Sequence, residues 1–142
     1  MTFKKLTDDI SVAAQISVAE VSIAAEEGFK TIICNRPAEE PGQPEAAEMT
    51  QAIAESGMEY IFQPVVSGNV TFADVAEFGE HLQNAKKPVL AYCRSGTRCS
   101  TLWALSEAPN RDIDEIISRC AGAGYDYSGM RATLESLKKD SA

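Results

Sequence analysis

Basic residues are scarce in this chain. Its 142 residues include 13 Lys and Arg against 21 Asp and Glu, a formal charge of -8. That balance excludes nucleic acid and anionic membrane surfaces as general partners. Histidine occurs once, at His81, and none of the four cysteines forms a C-x-x-C pair. A structural zinc site and a secreted disulfide framework are therefore not expected. No apolar run reaches the length of a membrane span, and the first nine residues lack the core of a signal peptide. Internal repeats and low-complexity segments are missing too. With 44% hydrophobic and 24% charged residues, the expectation is one soluble domain over residues 1–142, in the reducing cytosol.

What the chain does have is concentrated in Ala91-Tyr92-Cys93-Arg94-Ser95-Gly96-Thr97-Arg98-Cys99-Ser100. The apolar run 88–92 reads as a buried strand, and 101–105 as the start of a helix. Cys93 then stands at a strand tip, in a glycine-containing turn, ahead of a helix N-terminus. Such a turn gathers backbone N–H groups and the positive end of a helix dipole around one point. A thiol there is expected to have a lowered pKa and to be a thiolate at neutral pH. The backbone of Arg94, Ser95, Gly96, Thr97 and Arg98 is expected to cradle an anion, continuing into Cys99 and Ser100. Arg98 is the principal guanidinium clamp in this reading, with Arg94 in support. Ser100 is a candidate hydrogen-bond partner of the Cys93 thiolate. Cys99 begins the helix, and its side chain is expected to point away.

The remaining segments alternate between strand and helix patterns. Residues 10–15 hold a weak strand. Ser17 and Glu20 form a capping box for a helix that stops at Gly28. Residues 30–35 read as a fully buried parallel strand, followed by a loop rich in proline and charge. A helix over 45–56, a strand over 58–63, a loop over 64–70 and a helix over 71–85 follow. Asp74 serves the last of these as an acidic capping-box residue. Beyond Pro109, Asn110 or Asp112 caps a helix carrying Cys120 on its apolar face, and Asp126 or Ser128 opens a final one. His81 reads as a surface residue and Cys120 as core packing. The implied fold is α/β: a three-layer arrangement with a mostly parallel sheet flanked by helices. Ligands in such sheets bind outside the carboxyl ends of the strands. Asn35 and Arg36, with Glu39 and Glu40, are thus candidates for the rim of the same site.

A thiolate in such a cradle can attack the phosphorus of a phosphate monoester, or a sulfane sulfur to become a persulfide. In cysteine phosphatases five residues separate the cysteine from the arginine, whereas here Arg98 comes one position early and Cys99 stands in its place. Cys93-Arg94-Ser95-Gly96-Thr97-Arg98 resembles the Cys-Arg-x-Gly-x-Arg loop of rhodaneses. The loop 64–70 offers Ser67 and Asn69 but no carboxylate to protonate a leaving alkoxide. Sulfur transfer through a Cys93 persulfide is therefore the first expectation. Phosphate-monoester hydrolysis through a phosphocysteine is the alternative, and a non-catalytic anion- or persulfide-binding module the third. No metal or organic cofactor is implied. Substrates would be small anions or sulfane-sulfur compounds, with a thiol acceptor or a sulfur-oxidising enzyme as partner.

Several motifs together resemble the bacterial phosphatase-like domain of beta-lactamase hydrolase-like proteins, also called DUF442. They are Asn35-Arg36-Pro37 with Glu39-Glu40, Gln43-Pro44, the Pro64 loop, and the cysteine loop followed by Leu102-Trp103-Ala104-Leu105. The resemblance covers roughly residues 3–108. It implies a scaffold similar to dual-specificity cysteine phosphatases, and a connection to sulfur metabolism. Many relatives have serine directly after the arginine, so Cys99 is a departure. Strand-end thiols act as resolving partners in oxidised phosphatases of similar fold, which makes Cys34 a candidate redox partner for Cys93.

Overall fold

The computed structural model describes residues 3–140. Five strands, β1 (Phe3–Thr7), β2 (Ile10–Ala13), β3 (Thr31–Cys34), β4 (Glu59–Phe62) and β5 (Val89–Tyr92), form one sheet in the order β1-β2-β5-β3-β4. All neighbours are parallel except the β1–β2 hairpin. β5 lies at the centre, so the residue that follows it emerges in the middle of the carboxyl edge. β1 is the one strand with no counterpart in the sequence reading. Its consecutive exposed Lys4 and Lys5 erase the alternation that marks a half-buried strand. It owes its conformation to pairing with β2, and its charged, bulged edge resists further strand addition.

The alternation of side chains across the sheet separates two core layers. Ile32, Cys34, Leu90 and Tyr92 face one side, packing with Val21 and Ala24 of α1 (Val18–Glu26) and Met49 and Ile53 of α2 (Ala46–Glu55). Ile33, Val89, Ala91 and Cys93 face the other. They pack with α3 (Phe72–Asn84), α4 (Thr97–Glu107), α5 (Ile113–Gly122) and α6 (Arg131–Asp140), the last entered through a 3-10 turn at Ser128–Met130. Both capping boxes form: Glu20 N–H donates to Ser17 Oγ at 3.1 Å, and Asp74 N–H to Thr71 Oγ1 at 3.1 Å. Asp112, not Asn110, caps α5, and Asp126 Oδ1 accepts from Ser128 N–H to open the last segment. Helix α4 starts at Thr97, earlier than the apolar pattern indicates, because Gly96 at φ 89° supplies the left-handed turn that ends the loop. Arg98, Cys99 and Ser100 therefore lie in its first turn.

Candidate active site

Cys93 follows β5 directly, and its N–H continues the ladder to Ala13 O at 3.3 Å. Its thiol is buried and accepts the Gly96 N–H at 3.1 Å. The thiol of Cys99 is the foremost influence on it, pulling the Cys93 pKa down. Burial works in the opposite direction, and the backbone N–H groups of Cys99, Ser95 and Gly96 add to the lowering, leaving it at about 5. Cys93 is thus a thiolate at neutral pH.

Cys99 contributes to this directly, contrary to the expectation that it points away. Its side chain has no exposure, and its thiol sits between Asn35 Oδ1 at 3.1 Å and Cys93, with a single proton to donate to one or the other. Burial pushes its own pKa up, so it stays a protonated donor. Ser100, by contrast, makes no bond to Cys93. Its hydroxyl bonds Gly96 O at 2.9 Å, Thr97 O at 3.0 Å and Tyr127 Oη at 2.6 Å. One residue of helical rotation separates these two outcomes: position 99 turns toward the sheet, position 100 toward the C-terminal segment.

Of the expected rim residues, Glu39 is exposed and Glu40 half-buried, while Asn35 and Arg36 are buried. Asn35 is fully buried, its amide donating to Gln63 O at 2.9 Å. Arg36 is 3% exposed and donates to Glu40, Gln15 Oε1 and Pro41 O. Arg98 is similarly committed. Its Nη1 donates to Glu40 Oε2 at 2.8 Å, Val65 O at 2.8 Å and Asn35 O at 3.4 Å, and its Nη2 to Glu40 Oε1 at 3.0 Å. Glu40 thereby joins two buried guanidiniums, with Arg98 first and Arg36 second in holding its carboxyl below the ordinary value. Cys34 is also displaced from its expected role. It is paired with Tyr92 in register, so it faces the α1–α2 layer while Cys93 faces the other. Its thiol points to Arg36 O at 3.7 Å. As a resolving partner for Cys93 it is on the wrong side of the sheet.

Tyr125 and Tyr127, which belong to no motif of the sequence, brace the loop from outside. Tyr125 Oη donates to Ser95 O at 3.0 Å, and Tyr127 Oη donates to Thr97 O at 3.1 Å, with the two rings stacked 6.4 Å apart. Alanine at position 96 would push its Cβ into Tyr125 Oη. Aromatics spaced by two in a Gly- and Asp-containing stretch were the only local signal for them.

Beside the cysteine loop lies a cleft of about 610 Å³, lined by the residues that follow Cys93 and not by Cys93 itself. Ser67, Gly68 and Val70 of the loop after β4 line it together with Arg94, Ser95, Thr97, Arg98 and Thr101. No carboxylate lines it. Asp74 is occupied as the α3 cap, accepting Thr71 N–H at 3.0 Å. A larger cleft of about 1050 Å³ runs along α3 and α4 but contains no residue of the cysteine loop. His81 sits on α3 with Glu77 at 3.2 Å, and Cys120 is buried in the α5 core face.

The mostly parallel sheet with Cys93 at the tip of its central strand and a helix N-terminus behind it has a cysteine-phosphatase-like fold. TpbA of Pseudomonas aeruginosa, solved in complex with phosphotyrosine, has this fold: its TM-score is 0.71 at 16% identity, covering 99% of this chain and 90% of that one. A protein of Neisseria meningitidis described as a candidate phosphatase gives 0.84 at 38% identity, over 96% and 99% of the two chains. The chain belongs to the family of the phosphatase-like domain of beta-lactamase hydrolase-like proteins, whose model matches residues 2–110. A beta-lactamase hydrolase-like protein of Agrobacterium fabrum is 38% identical over 105 residues, 73% of this chain. One of Xylella fastidiosa is 33% identical over 138 residues, 95% of this chain. This chain spans 24% and 32% of the lengths of those two relatives.

Proposed function

We propose that this domain hydrolyses phosphate monoesters through a phosphocysteine on Cys93. The observation that carries the reading is the Cys93 thiol at the tip of the central strand, accepting the Gly96 N–H at 3.1 Å just ahead of the N-terminus of α4. The family and the fold support the same reaction class over sulfur transfer. The thiolate attacks phosphorus as the P–O bond to the leaving group breaks, while backbone N–H groups hold the equatorial oxygens. Water then attacks the phosphocysteine, breaking P–S and releasing inorganic phosphate and the thiolate. With no carboxylate in the cleft, the leaving oxygen takes its proton from solvent. Aryl phosphates, whose leaving groups are weakly basic, are therefore the preferred substrates.

The missing acid also favours a second reading, in which Cys93 takes sulfane sulfur and passes it to a thiol, since sulfur leaving groups need no proton. The test is turnover of an aryl phosphate beside turnover of thiosulfate with a thiol acceptor, each with wild type and Cys93→Ser. Phosphate release lost by about a thousandfold or more in the variant supports hydrolysis. Sulfur transfer alone, lost in the variant, would replace it. Neither turnover would leave an anion-binding module.

A further inference from the structure

The two arginines of the cysteine loop differ in how their charge is compensated. Arg98 has a side chain 8% exposed, and both Nη atoms are engaged by Glu40, Val65 O and Asn35 O. Arg98 shares Glu40 with Arg36, and its Nη donors already point to acceptors of the protein. Turning Arg98 toward the cleft would give up its bonds to Glu40 and to Val65 O, which opposes any exchange of partners. Arg94 is the reverse case. It follows the nucleophile directly, its side chain is exposed on the cleft wall, and among the described residues it makes no hydrogen bond or ion pair. Its backbone, however, is fixed, because Arg94 O accepts Gln15 N–H at 3.3 Å. Apart from Arg94 and the already paired Arg98, the residues lining the cleft carry neutral side chains or none.

We infer that Arg94, and not Arg98, supplies the guanidinium that captures the anionic group of the substrate, while Arg98 acts through Glu40 as a positioning residue for the loop. An exposed guanidinium on an anchored backbone closes on an oxyanion with two parallel N–H donors and gives up no existing partner. The exposed charge that draws the anion in is then Arg94, on a chain whose formal charge is -8, and it is screened by salt. This inference rests on the anion-cradle part of the proposed function, and not on its turnover.

The test is calorimetric titration of the full chain with sodium tungstate, a non-reacting oxyanion, in wild type, Arg94→Ala, Arg94→Lys and Arg98→Lys. Arg94→Ala is expected to weaken tungstate about tenfold. It should flatten the salt dependence, and leave the melting temperature and the Cys93 alkylation pH profile unchanged. Arg94→Lys should recover part of the loss. Arg98→Lys should instead lower the melting temperature. Tungstate affinity within twofold of wild type in Arg94→Ala would overturn the inference, as would failure of wild type to bind tungstate. If Arg98→Lys does not fold, the Arg94 variants decide alone. The predicted tungstate pattern without aryl phosphate turnover would sink the proposed hydrolysis and leave this inference standing.

Discussion

At the level of single residues, the thiol pair at positions 93 and 99 governs reactivity. Cys99 is the largest influence lowering the Cys93 pKa, so the dependence can be read directly. Alkylation of Cys93 by iodoacetamide requires the thiolate, and its rate should rise with pH and reach half its plateau near pH 5. Cys99→Ala removes a donor to the thiolate and should move that midpoint upward. Cys99→Ser, which keeps a hydroxyl donor, should move it less. The same contact redirects the redox expectation. Peroxide converts the Cys93 thiolate to a sulfenic acid, and attack by the nearest thiol yields a disulfide and water. Mass spectrometry should find that linkage between Cys93 and Cys99, unchanged in Cys34→Ser, because Cys34 faces the opposite layer. A Cys34–Cys93 linkage would contradict the placement of these two thiols in different core layers.

At the level of elements, the loop after β3 is tied to the first turn of α4 by Arg36, Glu40 and Arg98. Glu40→Gln leaves two buried guanidiniums without their carboxylate and should destabilise the fold by about 2–3 kcal/mol in urea denaturation, less than a fully enclosed pair because Glu40 keeps some solvent contact. The carboxyl is held below its ordinary 4.5. Its contribution is therefore present above that value and is lost as pH falls through the lowered one. Wild type should lose stability over that acid range more steeply than Glu40→Gln, a difference visible in melting temperatures measured from pH 6 to 3. Glycine at position 96 is a second such device. Its φ of 89° and the nearby Tyr125 hydroxyl bar a side chain. That turn aims the Gly96 N–H at Cys93 and starts α4 behind it.

Across the whole molecule, the cysteine loop is held between the sheet and a C-terminal segment that lies beyond the family match at residue 110. That segment is not an appendage. Ile116, Cys120 and Leu134 have no exposure and share a core with Cys93, Leu102 and Trp103, while Tyr125 and Tyr127 bond the loop itself. A chain ending after residue 110 should lose cooperative unfolding in circular dichroism melts and expose the α4 core face. A sharp, reversible melt of that fragment would show that the loop stands without its braces. Among the described residues no helix is long and apolar enough to cross a membrane.

Most elements of the fold were legible in the sequence because their signals are local. The Ser17–Glu20 and Thr71–Asp74 capping boxes act across three residues, and the β-branched run at 31–34 announces a buried strand by itself. β1 was not legible, since a short strand carrying two lysines becomes one only through its partner. The same division runs through the site. From sequence alone came a thiol at a strand tip before a helix, with N–H groups and arginines around it. Tertiary structure decided which arginine is free, which thiol faces which, and what braces the loop. The Arg98–Glu40 pair spans 58 residues, the Cys99–Asn35 bond 64, and the Tyr125–Ser95 bond 30. Contacts across such separations depend on how the sheet orders its strands and on which face each side chain takes, and no periodicity within a segment encodes either.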